Sequence, residues 1–181
     1  PTLSVLNQFN RFVFENNADV RLNFYGTNLQ KELEQLIDSE FSALKGKVIV
    51  HPKLSNPVLL EKLAENNVML LFNYYYVLGT KIFDYLALER QIILCYADDT
   101  ETEKLKKEFY PLPDIDGVSK SLQADLINKT NSGIIVEDRE HLYNVISALY
   151  SEHKKTGQIT CNSVGIEQYT RKKQAENLAE Y

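Results

Sequence analysis

Residues 68–97 read VMLLFNYYYVLGTKIFDYLALERQIILCYA and contain two apolar runs separated by a loop and an amphipathic segment. The first run, VMLLF at 68–72, has no polar residue, which predicts a strand buried on both faces. Apolar residues at helical spacing between 82 and 87 predict a helix, and QIILCYA at 91–97 predicts a second buried strand. This succession of strand, helix and strand is the unit of a parallel sheet covered by helices.

The same alternation continues on both sides of this stretch. Further strands are predicted at 20–25, 47–51 and 133–137, and further helices at 3–16, 27–37, 56–64, 100–109, 122–127, 138–152 and 166–178. Helix starts are marked by the capping boxes Thr27–Gln30 and Thr100–Glu103, by Asn56 before Pro57, and by Asp138. We therefore expect an α/β domain with a doubly wound, mainly parallel, Rossmann-like sheet and helices on both faces.

In a sheet of this type, ligands bind beyond the carboxyl ends of the strands. The expected site is confined to the loops that follow five positions: Tyr25, Val50, Phe72, Cys95 and Val136.

Composition narrows the partners and the setting. With 181 residues the chain is long enough for one domain with a substantial core. The net charge is −5 and no basic stripe occurs, so duplex nucleic acid is not an expected partner. No apolar run approaches a membrane span, and the start does not have the pattern of a signal peptide. The chain has two cysteines, Cys95 and Cys161, which are far apart in sequence. This fits a protein in a reducing, cytoplasmic setting better than a disulfide framework.

The loop between the two central strands has the residues of an anion site. Gly79 allows the backbone to approach a ligand closely, and Thr80 is placed to cap the following helix. The free amides of a helix N-terminus attract anions, and Lys81 adds a full positive charge there. Asp84, one helical turn further on, is suited to accept hydrogen bonds from the hydroxyls of a ribose.

Other interpretations of the same residues stay open. Gly79 and Thr80 can be a simple helix start, with Lys81 and Asp84 an exposed pair worth only about 0.3–0.5 kcal/mol. The tyrosine run 74–76 can stack on a base or a sugar ring, or it can close the core under the loop. His51, at the end of a predicted strand, can contact a ligand or serve the structure alone.

Residues 79–97 resemble the donor-site segment of B-type, retaining glycosyltransferases of the glycogen-synthase-like superfamily (glycosyl transferases group 1). In that family a Lys-x-hydrophobic-acidic-Tyr-hydrophobic-Ala stretch precedes a strand that begins with an apolar pair. The matching positions are Lys81, 83–87 and 92–93. NSGIIVEDREHLYNVISALY at 131–150 resembles the next landmark of the family, and the earlier strand–loop–helix units match in order and spacing.

The resemblance implies roles for the residues of the central loop. Gly79, Thr80 and Lys81 correspond to the loop that meets the phosphates of the donor. Lys81 would then be the catalytic residue, because it stabilises the charge that builds on the leaving diphosphate. Asp84 corresponds to an acidic residue that holds the ribose of the donor.

The resemblance also implies donor contacts in three further places. Gly26 and Thr27 correspond to a turn that faces the diphosphate, and Lys53 and Leu54 correspond to a loop beside the base. Tyr76 stands where the family usually has a glutamate near the transferred sugar, so the sugar contact departs from the family pattern. The family often has a separate basic pair after the first strand, and the residues Gly26, Thr27 and Asn28 do not supply it. Neutralisation of the diphosphate is then left to Lys81 and helix amides, or to residues outside this chain.

Taken together, residues 1–181 are expected to be a single nucleotide-sugar-binding domain, the C-terminal half of a two-domain enzyme whose N-terminal acceptor domain is absent. The intact enzyme would transfer a sugar from a nucleotide diphosphate to a glycan or lipid-linked acceptor, as in polysaccharide biosynthesis, without a metal or other cofactor. Peripheral membrane association of the intact enzyme stays open, and the isolated domain is expected to be inactive. The alternatives are one half of a nucleotide-sugar epimerase, or a non-catalytic α/β scaffolding module.

Overall fold

The computed structural model describes residues 2–27, 30–72, 77–96, 104, 108, 117, 119 and 121–179. The α-helices in these ranges are α1 Thr2–Asn16, α2 Gln30–Glu40, α3 Asn56–Ala64, α4 Lys81–Ala87, α5 Leu122–Thr130, α6 Arg139–Thr156 and α7 Arg171–Ala179. The strands are β1 Leu22–Tyr25, β2 Val48–His51, β3 Val68–Phe72, β4 Gln91–Cys95 and β5 Gly133–Ile135, and short 3₁₀ helices span Ser42–Leu44 and Ile166–Tyr169. The predicted helix at 100–109 falls almost wholly outside the described residues.

The described strands form two parallel sheets. β1 pairs with β2, with Leu22 opposite Val48, and β4 lies between β3 and β5, with Ile93 opposite Leu70 and Ile134. The predicted α/β class with parallel strands is therefore confirmed. One difference from the expected single sheet is that no ladder joins β1 to β3 in the described part of the chain.

Helices cover both faces of the three-stranded sheet, as a doubly wound fold requires. Alternate side chains of β3 and β4 point to opposite faces. One set packs with α1, α2 and α6 in a core that we call the α1–α6 core, to which β3 and β4 contribute Val68, Leu70, Phe72, Ile93 and Cys95. The other set packs with α4 and α5 in the α4–α5 core, to which the same strands contribute Met69, Leu71, Ile92 and Leu94.

Helix α1 was predicted correctly in extent, but part of its apolar face was wrong. Leu3 and Phe14, which fit the helical spacing, are 53% and 78% exposed. The buried face is centred instead on Phe12, whose ring packs edge-on against Tyr143 and Tyr150 of α6 at 5.9 and 5.5 Å. The face of α1 that is buried is therefore decided by its packing against α6, and the apolar residues Leu3 and Phe14 lie outside that face.

Three other predicted helix boundaries can be compared with the structure. Asp138 caps α6 as predicted, since its carboxylate accepts the His141 amide at 2.8 Å. Asn56 is the first residue of α3, and Ser55, not Asn56, occupies the N-cap position. The predicted final helix is interrupted at Thr170, whose backbone is extended and whose Oγ accepts the Lys173 amide at 3.2 Å. Among the described helices, none is both long and apolar enough to cross a membrane.

Gly133 at the start of β5 cannot gain a side chain without distorting β4. A Cβ at this position would lie 2.3 Å from the carbonyl oxygen of Ile92. We therefore expect Gly133→Ala to lower the free energy of unfolding by about 2–4 kcal/mol, measured by urea denaturation. The control is Gly46→Ala, where φ is +72° and no atom lies within 4 Å, so only backbone strain is added. That strain costs about 1 kcal/mol, and equal losses in the two variants would contradict the packing of β4 against β5.

Candidate functional site

The predicted site residues after β1 and β2 lie side by side. The Gly26 amide donates to the His51 carbonyl at 3.1 Å, which carries the β1–β2 pairing one residue beyond the strand. A Cβ on Gly26 would lie 3.7 Å from the Cα of Lys53, so the two loops are in contact. Lys53 is exposed, whereas Thr27 and Leu54 are half-buried. The turn at Gly26, which was predicted to face a diphosphate, therefore lies beside the backbone of Lys53.

The turn before α4 is open to solvent. Gly79 has φ +69°, a conformation that favours glycine, and an added Cβ would have no atom of the other described residues within 4 Å. Thr80 occupies the N-cap position of α4, but its side chain forms no capping hydrogen bond. The predicted side-chain cap is therefore wrong, and the first amides of α4 have no side-chain partner from Thr80. The Phe83 amide donates to the Thr80 carbonyl oxygen at 3.2 Å. The amides of Lys81 and Ile82 precede the first hydrogen bond that the helix can form, and no described residue accepts from them.

The charges on α4 differ in their surroundings. Lys81 is exposed and forms no ion pair with another described residue. Asp84 is half-buried and lies in the first turn of the helix. Burial, and secondly the Asp84 carboxylate, raise the pKa of the neighbouring Tyr85 phenol. Lys81 therefore has no competing partner among the described residues, whereas the side chain of Asp84 is partly covered.

Two anchors fix this turn to the rest of the domain. Ile82 and Leu86 of α4 are 0% and 3% exposed and belong to the α4–α5 core. Gln123 of α5, 1% exposed, donates from Nε2 to the carbonyl oxygen of Leu78 at 3.4 Å, one residue before Gly79. Sequence reasoning did not single out Gln123, because nothing in the pattern of a short helix tells a buried glutamine from an exposed one.

The C-terminal segment also packs against α4. The rings of Phe83 and Tyr169 lie 6.4 Å apart, and the Lys129 ammonium lies 5.7 Å from the centre of the Tyr169 ring. Ile166 and Tyr169 both pack on the α4–α5 core. The helix that carries Lys81 and Asp84 is therefore supported from the sheet and from the C-terminal segment.

His51 has a structural role. Its ring stacks on Tyr25, with centroids 4.4 Å apart and an angle of 8° between the planes. Its Nε2 lies 3.0 Å from Oδ1 of Asn23, and the side-chain Nδ2 of Asn23 donates to Oδ1 of Asn66 at 2.8 Å. These contacts satisfy the polar side chains on this face of β1 and β2, which favours the structural interpretation of His51.

The structure thus describes the predicted donor residues in two groups. Gly26 and Lys53 belong to the loops after β1 and β2, and the stretch 79–84 follows β3. No hydrogen bond or ion pair between described residues joins the two groups. Tyr76 and the rest of the tyrosine run lie outside the described residues.

Two other features do not coincide with these residues. An open groove of about 220 Å³ lies between α2 and β2, and it is lined by Glu34, Ile37, Asp38, Gly46, Val48 and Val50. None of the predicted donor residues lines this groove. In the described part of the chain, no three His, Cys, Asp or Glu side chains cluster in a way suited to a metal ion.

Comparisons with known proteins do not assign the chain to a family. No protein-family model matches it, and neither a curated protein nor a solved structure matches it significantly.

The two cysteines differ in accessibility: Cys95 is buried, whereas Cys161 is partly exposed. Both are free thiols. Cys95 of β4 is 0% exposed, and burial raises the pKa of its thiol to about 12. At pH 8 only about one Cys95 in ten thousand would be a thiolate, so we expect iodoacetamide to modify Cys161 alone in the folded protein. Both cysteines should react in urea, as mass spectrometry of the peptides will show. Modification of Cys95 in the folded protein at a rate similar to that of Cys161 would contradict the burial of β4.

Proposed function

We propose that this chain is the nucleotide-sugar donor-binding domain of a glycosyltransferase. The observation that carries the proposal is the open turn after β3, where Gly79 has φ +69° and is followed by Lys81, which is exposed and pairs with no other described residue. The position of this turn, beyond the carboxyl end of the parallel strand β3, is where α/β folds bind their ligands. A turn packed shut, or placed at the amino end of the strand, would have spoken against the proposal.

The chemistry of the turn suits a diphosphate. Helix amides and a lysine ammonium together offer hydrogen bonds and positive charge to phosphate oxygens. Because α4 has only seven residues, its dipole contributes little, and Lys81 supplies most of the charge. The same charge would stabilise the leaving diphosphate as the bond to the sugar breaks.

The neighbouring residues extend the proposal to the rest of a nucleotide. The carboxylate of Asp84, one turn beyond Lys81, is suited to the two hydroxyls of a ribose. Gly26 and Thr27 are proposed to face the diphosphate from the β1 side, with Lys53 and Leu54 near the base. Tyr76 is proposed to lie near the sugar, on the resemblance alone.

The reaction proposed for the intact enzyme is transfer of the sugar to a glycan or lipid-linked acceptor in the cytoplasm. The acceptor would be held by a domain outside residues 1–181, so residues 1–181 alone are expected to bind the donor without turning it over. Robust transfer by this chain alone would contradict that division of labour.

A panel of nucleoside diphosphates in a thermal-shift assay separates the main alternatives. A donor-binding domain is stabilised by at least one member of the panel, whereas a scaffolding module is stabilised by none. A nucleotide-sugar epimerase would also bind, and product analysis of the intact enzyme distinguishes it from a transferase.

Lys81→Ala should weaken the binding of the preferred nucleoside diphosphate by about tenfold or more, because one charge-assisted hydrogen bond is worth about 1.5–3 kcal/mol. Isothermal titration calorimetry measures the effect. The matched control is Lys154→Ala on α6, a lysine that is also exposed and has no ion pair in the described structure. Unchanged affinity in Lys81→Ala, or an equal loss in Lys154→Ala, would refute the phosphate role.

Asp84→Asn should weaken binding less than Lys81→Ala, by roughly threefold, because the amide keeps one acceptor for a ribose hydroxyl. The loss should largely vanish when the ligand is a 2′,3′-dideoxynucleoside diphosphate, which lacks those hydroxyls. If calorimetry gives the same ratio of wild-type to variant affinity for both ligands, Asp84 does not hold the ribose.

A further inference from the structure

Two strand edges face each other without forming a ladder. Among the described strands β1 pairs only with β2, and β3 has only β4 as a neighbour. Phe24 of β1 and Leu70 of β3 nevertheless pack in the same α1–α6 core. On the opposite face, Asn23 of β1 donates to Asn66, which lies two residues before β3, at 2.8 Å. The two sheets therefore lie in one layer, with the free edge of β1 turned toward the free edge of β3.

The backbone of β1 offers hydrogen bonds toward β3. The amides of Leu22 and Gly26 donate toward β2, at 2.9 and 3.1 Å. Because successive residues of a strand direct their N–H and C=O groups to alternate sides, those of Asn23 and Tyr25 point away from β2. No described residue accepts or donates to them.

The backbone of β3 offers hydrogen bonds in return. On the β5 side, the Ile92 amide donates to the Ser132 carbonyl at 3.0 Å, and the Leu94 carbonyl accepts from the Val136 amide at 2.9 Å. The backbone groups of Ile93, which lies between them, therefore point toward β3. The β3–β4 register then directs the backbone groups of Val68, Leu70 and Phe72 toward β1. These groups also lack a partner in the described structure.

The gap is wider than the spacing of paired strands. Hydrogen-bonded neighbouring strands lie about 4.8 Å apart. Strands β1 and β3 are not this close to each other along their length. Val68, Leu70 and Phe72 are only partly buried, although Ile93 and Cys95 on the same face of β4 are 2% and 0% exposed. A strand in the middle of a two-faced sheet should be as buried as β4, so this part of the layer is incomplete.

The hand of the fold indicates what belongs in the gap. Helices α1 and α2 both pack in the α1–α6 core and so lie on the same face. Right-handed crossovers on one face all step in the same direction. Since α2 leads from β1 outward to β2, a strand that runs into α1 would lie on the other side of β1, in the gap.

We infer that the gap takes one more parallel strand, an extended and mainly apolar segment of about four or five residues joined to the amino end of α1. It would bond to Asn23 and Tyr25 on one side and to Val68, Leu70 and Phe72 on the other. The completed sheet would have six strands in the order β2, β1, added strand, β3, β4, β5. The inference concerns the sheet and does not depend on nucleotide binding.

Amide hydrogen exchange measured by NMR tests the inference. In residues 1–181 the amides of Asn23, Tyr25, Leu70 and Phe72 should exchange quickly, while Phe24, between two of them, is protected by β2. A designed extension, Lys-Val-Leu-Val-Val-Gly-Asn joined to Pro1, should slow the four fast amides by at least about tenfold and raise the midpoint of thermal unfolding. The control extension, Lys-Val-Pro-Val-Pro-Gly-Asn, cannot form the ladder and should leave them unchanged.

Three results would overturn the inference. The first is protection of the four amides in residues 1–181 at low concentration, which would mean that β1 and β3 already pair. The second is an equal effect of both extensions. The third is protection that grows with protein concentration without any extension, which would assign the gap to a second copy of the chain.

Discussion

Strand β4 is buried on both faces, and the packing of the helices and of the neighbouring strands follows from this burial. Ile92 and Leu94 are 0% exposed on one face, and Ile93 and Cys95 are 2% and 0% exposed on the other. A strand in this position needs a helix layer on each side and backbone partners along both edges. The helices that supply those layers run back across the sheet, so the loops after the parallel strands collect at one edge. At that edge, loop residues from different strands can combine into a site.

Much of this arrangement could be predicted from the sequence because it is local. The uninterrupted apolar runs at 68–72 and 92–95 and the Asp138 cap led directly to β3, β4 and the start of α6. The turn at Gly79 could be predicted for the same reason, since a positive φ before a helix favours glycine. Predictions failed where packing at long range decides the outcome. Phe14 is exposed and Gln123 is buried, and the sequence around each residue is equally compatible with the opposite arrangement. The missing ladder between β1 and β3 has no local signal at all.

The proposed donor site and the inferred gap concern the same region of the fold. The loop with Gly26 follows β1, and the loop with Gly79 and Lys81 follows β3, so these two loops flank the carboxyl end of the gap. In doubly wound sheets ligands bind where the direction of strand order reverses. An added strand between β1 and β3 would make the gap that point of reversal, and its following loop would lie between the two groups of donor residues. The separation of these groups in residues 1–181 is then a consequence of the incomplete layer.

The central claim is that the open turn after β3, with Lys81, receives the diphosphate of a nucleotide. An NMR titration of the isotope-labelled chain with the best nucleoside diphosphate tests this claim most directly, because it reports the position of the ligand residue by residue. We expect saturable shifts of the Gly79, Thr80 and Lys81 amides, with smaller shifts at Gly26 and Lys53. Shifts centred on the α2–β2 groove instead, or no saturable shifts with any nucleotide of the panel, would contradict it.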